Sequence, residues 1–237
     1  MITNEIKALT FDVFGTVVDW RGSILAELNA LSRAKGISAN WEIFVEAWRQ
    51  GFRQGQADVR AGKLAWTNMA SIHRKKLGEL LVEYGINVLS EDEITHLNRA
   101  WYRLKPWHDS LAGLMRLKKK YIVAALSNGD MAGLVNLSKF AALPWDCIFS
   151  VEMFKHFKPD RETYIGACEL LGLPPEQVMM VAAHNYDLKA AQSFGMKTGF
   201  VLRAHEFGPR QSVDLKPEGA WDVVVQDLEE LAAVMGT

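Results

Sequence analysis

The chain has 237 residues, 49% hydrophobic and 23% charged, enough for one large domain or a core with an insertion and too apolar for a disordered or fibrous protein. Its 27 Lys and Arg against 28 Asp and Glu leave a net charge of -1, which points to no nucleic-acid or membrane-surface partner; Arg74-Lys75-Lys76 reads as a solvated helix face. Two cysteines in apolar surroundings, Cys147 and Cys168, suit buried thiols in a reducing compartment. The opening MITNEIKALTF lacks a basic start, and no stretch approaches the about 18 apolar residues of a membrane span, so a cytoplasmic protein is expected.

Ile6 to Phe14 reads as a buried strand, an apolar run that stops at Gly15-Thr16. From Asp19 to about Pro106 no strand is expected. Trp41, Phe44, Val45, Trp48 and Phe52 recur at helical spacing, Ile72, Leu77, Leu80 and Leu81 mark a second helix, and Ile94, Leu97 and Trp101 a third. This interval is far longer than one crossover and reads as an inserted helical unit. Six of the eight Trp (Trp20, Trp41, Trp48, Trp66, Trp101 and Trp107) fall in it or at its hinges, where they pack helices or close an apolar lid. Buried strands then follow at Tyr121–Leu126, Cys147–Val151, Val178–Ala182, Thr198–Leu202 and Asp222–Val225. Between them lie helices such as Thr163–Leu171, ended by Gly172, and Leu188–Phe194, ended by Gly195. Arg203 to Gly219 is a long polar loop. Strand alternating with helix predicts an α/β fold, a parallel sheet with helices on both faces and an inserted α-helical cap.

Ligands of such sheets bind beyond the carboxyl ends of the strands. Four ends carry reactive groups: Asp12-Val13-Phe14-Gly15-Thr16, Ser127-Asn128-Gly129, Lys158-Pro159, and Ala183-His184-Asn185-Tyr186-Asp187. They supply carboxylates, hydroxyls, an ammonium and an imidazole.

The order D-x-x-G-T-x-x-D from Asp12 to Asp19, Ser127-Asn128, Lys158-Pro159 and Asp187 resembles the haloacid dehalogenase superfamily over the whole chain. The resemblance implies a Rossmann-like core of residues 1–18 and 107–237 and a cap domain of residues 19–106. Many members of that superfamily are magnesium-dependent phosphatases with a second Asp after the nucleophile and a Gly-Asp in the last motif. Here Phe14 and Ala182-Ala183 stand in those places, a poor set for a hard cation, and His73, His96, His108, His156 and His205 lack ligand spacing. No metal and no other cofactor is expected. The type II L-2-haloacid dehalogenase branch looks closest, through Asp12 to Thr16, Ala47-Trp48-Arg49-Gln50 and Lys158 to Tyr164. Where its best-known members have Ser-Ser-Asn, this chain has Ala182-Ala183-His184, a departure that bears on water activation.

The resemblance assigns roles that chemistry supports. Asp12 is the nucleophile, because a carboxylate is ionised at neutral pH without a base. Thr16 orients it, and Lys158 keeps it charged. Ser127 holds the substrate carboxylate, Asn128 receives the halide, the cap residue Arg49 reaches down to the halide or the substrate, and Phe14 forms an apolar wall. Tyr164 bonds Asp187 or Lys158. His184 is the candidate base for the hydrolytic water. Asp187 either orients that imidazole or pairs with Lys158. The expected reaction is metal-independent hydrolysis of short 2-haloalkanoic acids such as chloroacetate, with fluoroacetate as a further candidate, through an Asp12 ester. The family implies a homodimer. A phosphatase with a rebuilt metal site and a silent small-carboxylate binding protein remain the alternatives.

Overall fold

The structure, a computed structural model, describes residues 5–237. The first four residues, part of the opening stretch in which no leader was expected, lie outside the described residues.

The first strand, β1 (Ala8–Phe11), is wholly buried and lies at the middle of a parallel sheet. The chain then forms β2 (Val18–Asp19) and four helices, α1 (Trp20–Lys35), α2 (Trp41–Arg60), α3 (Met69–Glu83) and α4 (Glu91–Asn98). It returns through β3 (Lys105–Pro106), which pairs antiparallel with β2. The expectation of no strand between Asp19 and Pro106 is therefore corrected: two-residue pieces show no periodicity in a sequence, yet they tie the two connections together at Val18 and Pro106. Helix α1 also escaped the sequence reading. Asp19 caps it by accepting the Gly22 N–H at 2.8 Å, and Gly36, with φ of 67°, ends it. The expected helices over Trp41, Ile72 and Ile94 are present as α2, α3 and α4, the last extended by a 3-10 turn through Trp101.

The rest alternates: α5 (Ser110–Leu117), β4 (Ile122–Ser127), α6 (Met131–Phe140), β5 (Cys147–Ser150), α7 (Arg161–Leu171), β6 (Val178–Ala182), α8 (Asn185–Ser193), β7 (Lys197–Val201), β8 (Val223–Val225) and α9 (Leu228–Val234). The strand order is β5-β4-β1-β6-β7-β8, every pair parallel. Each of the six expected core strands is present within a few residues of its predicted bounds.

Side chains of a strand alternate between its faces, and both faces are buried. Leu9, Phe11, Val123, Ala125, Met179 and Val181 pack with Leu114, Leu117, Leu228 and Leu231 of α5 and α9. Ala8, Ala124, Leu126, Met180 and Ala182 pack on the other side with Tyr164, Cys168, Leu188 and Ala191 of α7 and α8. Each fully buried Leu, Val or Met contributes about 1.5–3 kcal/mol. Because β1 has β4 on one side and β6 on the other, its carboxyl end is where the strand order turns back, and a crevice opens there. No helix among the described residues is long and apolar enough to cross a membrane.

Candidate active site

Asp12 is the first residue beyond β1, still held in register by its N–H on the Val181 carbonyl at 3.0 Å. The chain then turns back on itself: Val17 and Val18 both donate N–H to the Val13 carbonyl, and Gly15 takes a φ of 90°. A side chain at Gly15 would be strained at that φ and would meet the Glu206 carboxylate at 2.2 Å, so glycine is required twice over. The turn returns Thr16 to the strand end, where its hydroxyl donates to Asp12 Oδ2 at 2.8 Å and accepts the Ala183 N–H at 2.9 Å.

Two cations meet the same carboxylate. Lys158 Nζ donates to Asp12 Oδ1 at 3.0 Å, and His184 Nδ1 lies 3.1 Å from Oδ2. Burial alone would raise the Asp12 carboxyl, which is only 6% exposed, but the charges and hydrogen bonds of Lys158 and His184 outweigh it and hold the group well below the usual carboxylate range. Lys158 is bonded on its other side to Asp187 Oδ2, and Tyr164 donates its hydroxyl to Asp187 Oδ1. Desolvation would strip the Lys158 proton, yet the two carboxylates keep it above the ordinary lysine value. Burial, aided by the nearby Asp12 charge, pushes the Asp187 carboxyl above its ordinary value.

Of the two partners considered for Asp187, the structure places Lys158 against it. The imidazole of His184 is held by Glu206, whose oxygens lie 2.9 and 3.0 Å from Nε2. His184, the expected base for the hydrolytic water, is met by a carboxylate on each side of its ring. Although burial disfavours the cation, Glu206 and Asp12 raise the ring's pKa well above the ordinary histidine value.

Glu206 is 1% exposed and also accepts the Trp20 indole N–H at 3.0 Å. It was missed because it is one of several acids in the polar loop between β7 and β8, with no motif around it. Only an arginine three residues earlier hinted that the loop is anchored. Arg203 forms a two-pronged pair with Asp109, 2.8 and 2.7 Å, and donates Nε–H to the Thr16 carbonyl at 2.9 Å. Burial would raise the Asp109 carboxyl; the Arg203 fork and the Leu228 N–H outweigh it and hold it below the usual range. Arg203→Ala leaves a buried carboxylate unpaired, at a cost of about 3–5 kcal/mol. For a chain of this size that lowers Tm by roughly 6–20 °C. A depressed carboxyl contributes stability above its unfolded value that is lost as pH falls, so the gap between wild type and variant narrows on acidification, which a pH series of melting curves measures.

The crevice is a cavity of about 200 Å³ lined by Asp12, Phe14, Arg49, Phe52, Asn128, Lys158, His184 and Tyr186 among others. It is small beside the roughly 300–1,000 Å³ of most ligand clefts. Arg49 reaches it from α2, its guanidinium 5.4 Å from the Trp20 ring and 5.7 Å from that of Phe52. Its Nε is buried without an acceptor among the described residues. Phe14 packs edge-on against Trp101 at 6.3 Å. Asn128 accepts the Lys158 backbone N–H through Oδ1 at 2.8 Å, which fixes its amide beside the cavity. Ser127, expected on the substrate carboxylate, is fully buried at the end of β4, accepts the Gly129 N–H, and is absent from the cavity wall.

The donor set does not suit a divalent cation. Both oxygens of Asp12 already serve cationic donors, Phe14 is a hydrocarbon wall, and Ala182 and Ala183 offer no side-chain oxygen.

A carboxylate kept ionised at the switch point of a parallel sheet, with a lysine beside it, defines a haloacid dehalogenase-like hydrolase, and the profile of that family matches residues 6–195. The (S)-2-haloacid dehalogenase of Pseudomonas fluorescens is 32% identical over 235 residues, 96% of each chain. The L-2-haloacid dehalogenase PA0810 superposes with a TM-score of 0.95 at 43% identity, covering 97% of this chain and 98% of that one. The defluorinating L-2-haloacid dehalogenase Rha0230 gives 0.95 at 37%, covering 98% and 96%. The chain belongs to the haloacid dehalogenase-like hydrolases and, within them, to the (S)-2-haloacid dehalogenase family. Hydrolytic dehalogenation is the reaction of that family.

Proposed function

We propose that this chain hydrolyses short 2-haloalkanoic acids, such as chloroacetate and 2-chloropropionate, to 2-hydroxy acids without a metal, through an ester at Asp12. The observation that carries the reading is the Asp12 carboxylate, kept ionised by Lys158 in a small cavity that Arg49 enters from the other side. Oδ2 already accepts two hydrogen bonds and Oδ1 one, so Oδ1 retains the lone pair for in-line attack on the halogen-bearing carbon. The carbon–halogen bond breaks as the carbon–oxygen bond forms, and the halide leaves toward Arg49 and Asn128. Phe14 and Phe52 exclude water from this step. Water then adds to the ester carbonyl carbon, one of its protons passing to the departing oxygen and the other being released, while Asp187 holds the Lys158 ammonium in place. Residues 19–106 act as the cap that closes over the substrate, and the active form is a cytoplasmic homodimer, which sedimentation of the purified protein tests.

The deciding experiment incubates chelator-treated protein with chloroacetate, the 2-chloropropionate enantiomers and fluoroacetate, alongside a generic phosphomonoester. Halide release without added metal is the expected result. Phosphate release restored by Mg²⁺ overturns the reading in favour of a rebuilt metal site, and silence in both assays favours a binding protein.

A further inference from the structure

Glu206 stands behind His184, buried, and has no hydrogen bond to Asp12 among the described residues. Resting on the dehalogenase reading, we propose that Glu206 is a positioning residue: it keeps the His184 imidazole doubly protonated with Nδ1–H aimed at Asp12 Oδ2, so that His184 and Thr16 together receive the negative oxygen formed when water adds to the Asp12 ester.

The geometry assigns the two carboxylate oxygens to different tasks. Oδ1 becomes the ester oxygen, and Oδ2 becomes the ester carbonyl oxygen with the Thr16 hydroxyl at 2.8 Å and His184 Nδ1 at 3.1 Å already in place. When the water oxygen bonds to the carbonyl carbon, the carbonyl electron pair moves onto Oδ2, between these donors. The pair then returns, the bond from that carbon to Oδ1 breaks, and the 2-hydroxy acid departs with Oδ1. One water proton ends on that oxygen and the other is released, so Asp12 is regenerated as a carboxylate.

The donor pair is supported from behind on both sides. The Thr16 hydroxyl is oriented by the Ala183 N–H, and the ring by both Glu206 oxygens, of which Oε1 also accepts the Trp20 indole N–H. The loop carrying Glu206 is anchored through Arg203 to the Thr16 carbonyl, so both donors hang on one framework. The charged and titratable groups around the ring are Asp12 after β1, Glu206 in the loop, Tyr186 and Asp187 on α8, Lys158 before α7, and Arg49 and Arg53 on α2. Arg49, Arg53 and Lys158 oppose a charged imidazole, and after esterification Asp12 no longer offsets them. Glu206 is then the only carboxylate among the described residues bonded to the ring.

Glu206→Gln keeps the shape and an acceptor for Trp20 but removes the charge. The expected result is a normal halide burst followed by ester hydrolysis slowed about 10²-fold, with the Asp12 ester visible by mass spectrometry. The alkaline fall of ester hydrolysis should move to lower pH, because the variant imidazolium loses its proton more readily, and Glu206→Asp should restore part of the rate. Equal slowing of burst and hydrolysis, or an unshifted pH limb, overturns the proposal. The nitrogen shifts of His184 in the resting protein provide a readout that needs no substrate or variant. A ring protonated on both nitrogens at pH 8 in wild type supports the proposal, and a neutral ring overturns it even if halide is released. Absence of any halide burst from wild type tells instead against the dehalogenase reading.

Discussion

Asp12→Asn is expected to lower halide release by at least about 10³-fold while the folded structure is kept. An amide is a poor nucleophile at saturated carbon, and no neighbouring group replaces it, because Asp187 is occupied by Lys158 and Tyr164 and Glu206 lies behind the imidazole. Removing a buried charge usually orphans its partners, but here each cation keeps a second carboxylate, Lys158 that of Asp187 and His184 that of Glu206. A melting curve should therefore change little compared with activity. A single turnover of wild type in water labelled with heavy oxygen supplies the complementary measurement. Label should enter the Asp12 peptide and stay out of the first 2-hydroxy acid released. Label in the product instead would mean that water, not Asp12, displaces the halide.

What the sequence disclosed follows from physical differences between elements. The core strands were legible because a parallel strand buried on both faces, such as Val178–Ala182 or Ile122–Ser127, must be apolar at nearly every position and leaves a run no surface segment imitates. The site residues at the strand ends were legible because topology gathers them at one edge of the sheet, whereas Tyr164, inside α7, came only from the family resemblance; Asp12, Thr16, Lys158, Asp187 and Tyr164 form one hydrogen-bonded chain. Helix α1 had an apolar spacing in Trp20, Ile24 and Leu28, hidden by its position directly after the motif. Glu206 was illegible for another reason. Its place is decided by a pair between Arg203 and Asp109, 94 positions apart, and no local pattern encodes a contact of that range. The surroundings of His184 were hidden with it, because the partner behind the ring comes from that loop.

Lys158→Met should abolish dehalogenation and reverse the pH dependence of stability near the site. The ammonium lies between Asp12 and Asp187, both buried, and removing it leaves two carboxylates facing each other with only Thr16, His184 and Tyr164 as neighbouring side-chain donors among the described residues. Breaking such a pair costs about 3–5 kcal/mol at neutral pH. The deprotonated pair lowers that cost by taking up a proton, and a shared proton makes Asp12 a weaker nucleophile. In wild type, Asp12 is depressed below its unfolded value of about 3.9, so it contributes stability at neutral pH that is lost on acidification. Lys158, raised above its unfolded value, contributes stability that persists through neutrality and is lost only on the alkaline side as pH rises through its folded pKa. In the variant the folded state binds more protons than the unfolded one across the carboxylate range, so this part of the stability decreases as pH rises. Melting temperatures from about pH 4 to 8 should converge at the acid end and diverge toward neutrality. Parallel curves would show that the ammonium does not neutralise these carboxylates, and Lys158→Arg should recover much of the stability and little of the activity, because the planar guanidinium cannot replace a point charge between two oxygens.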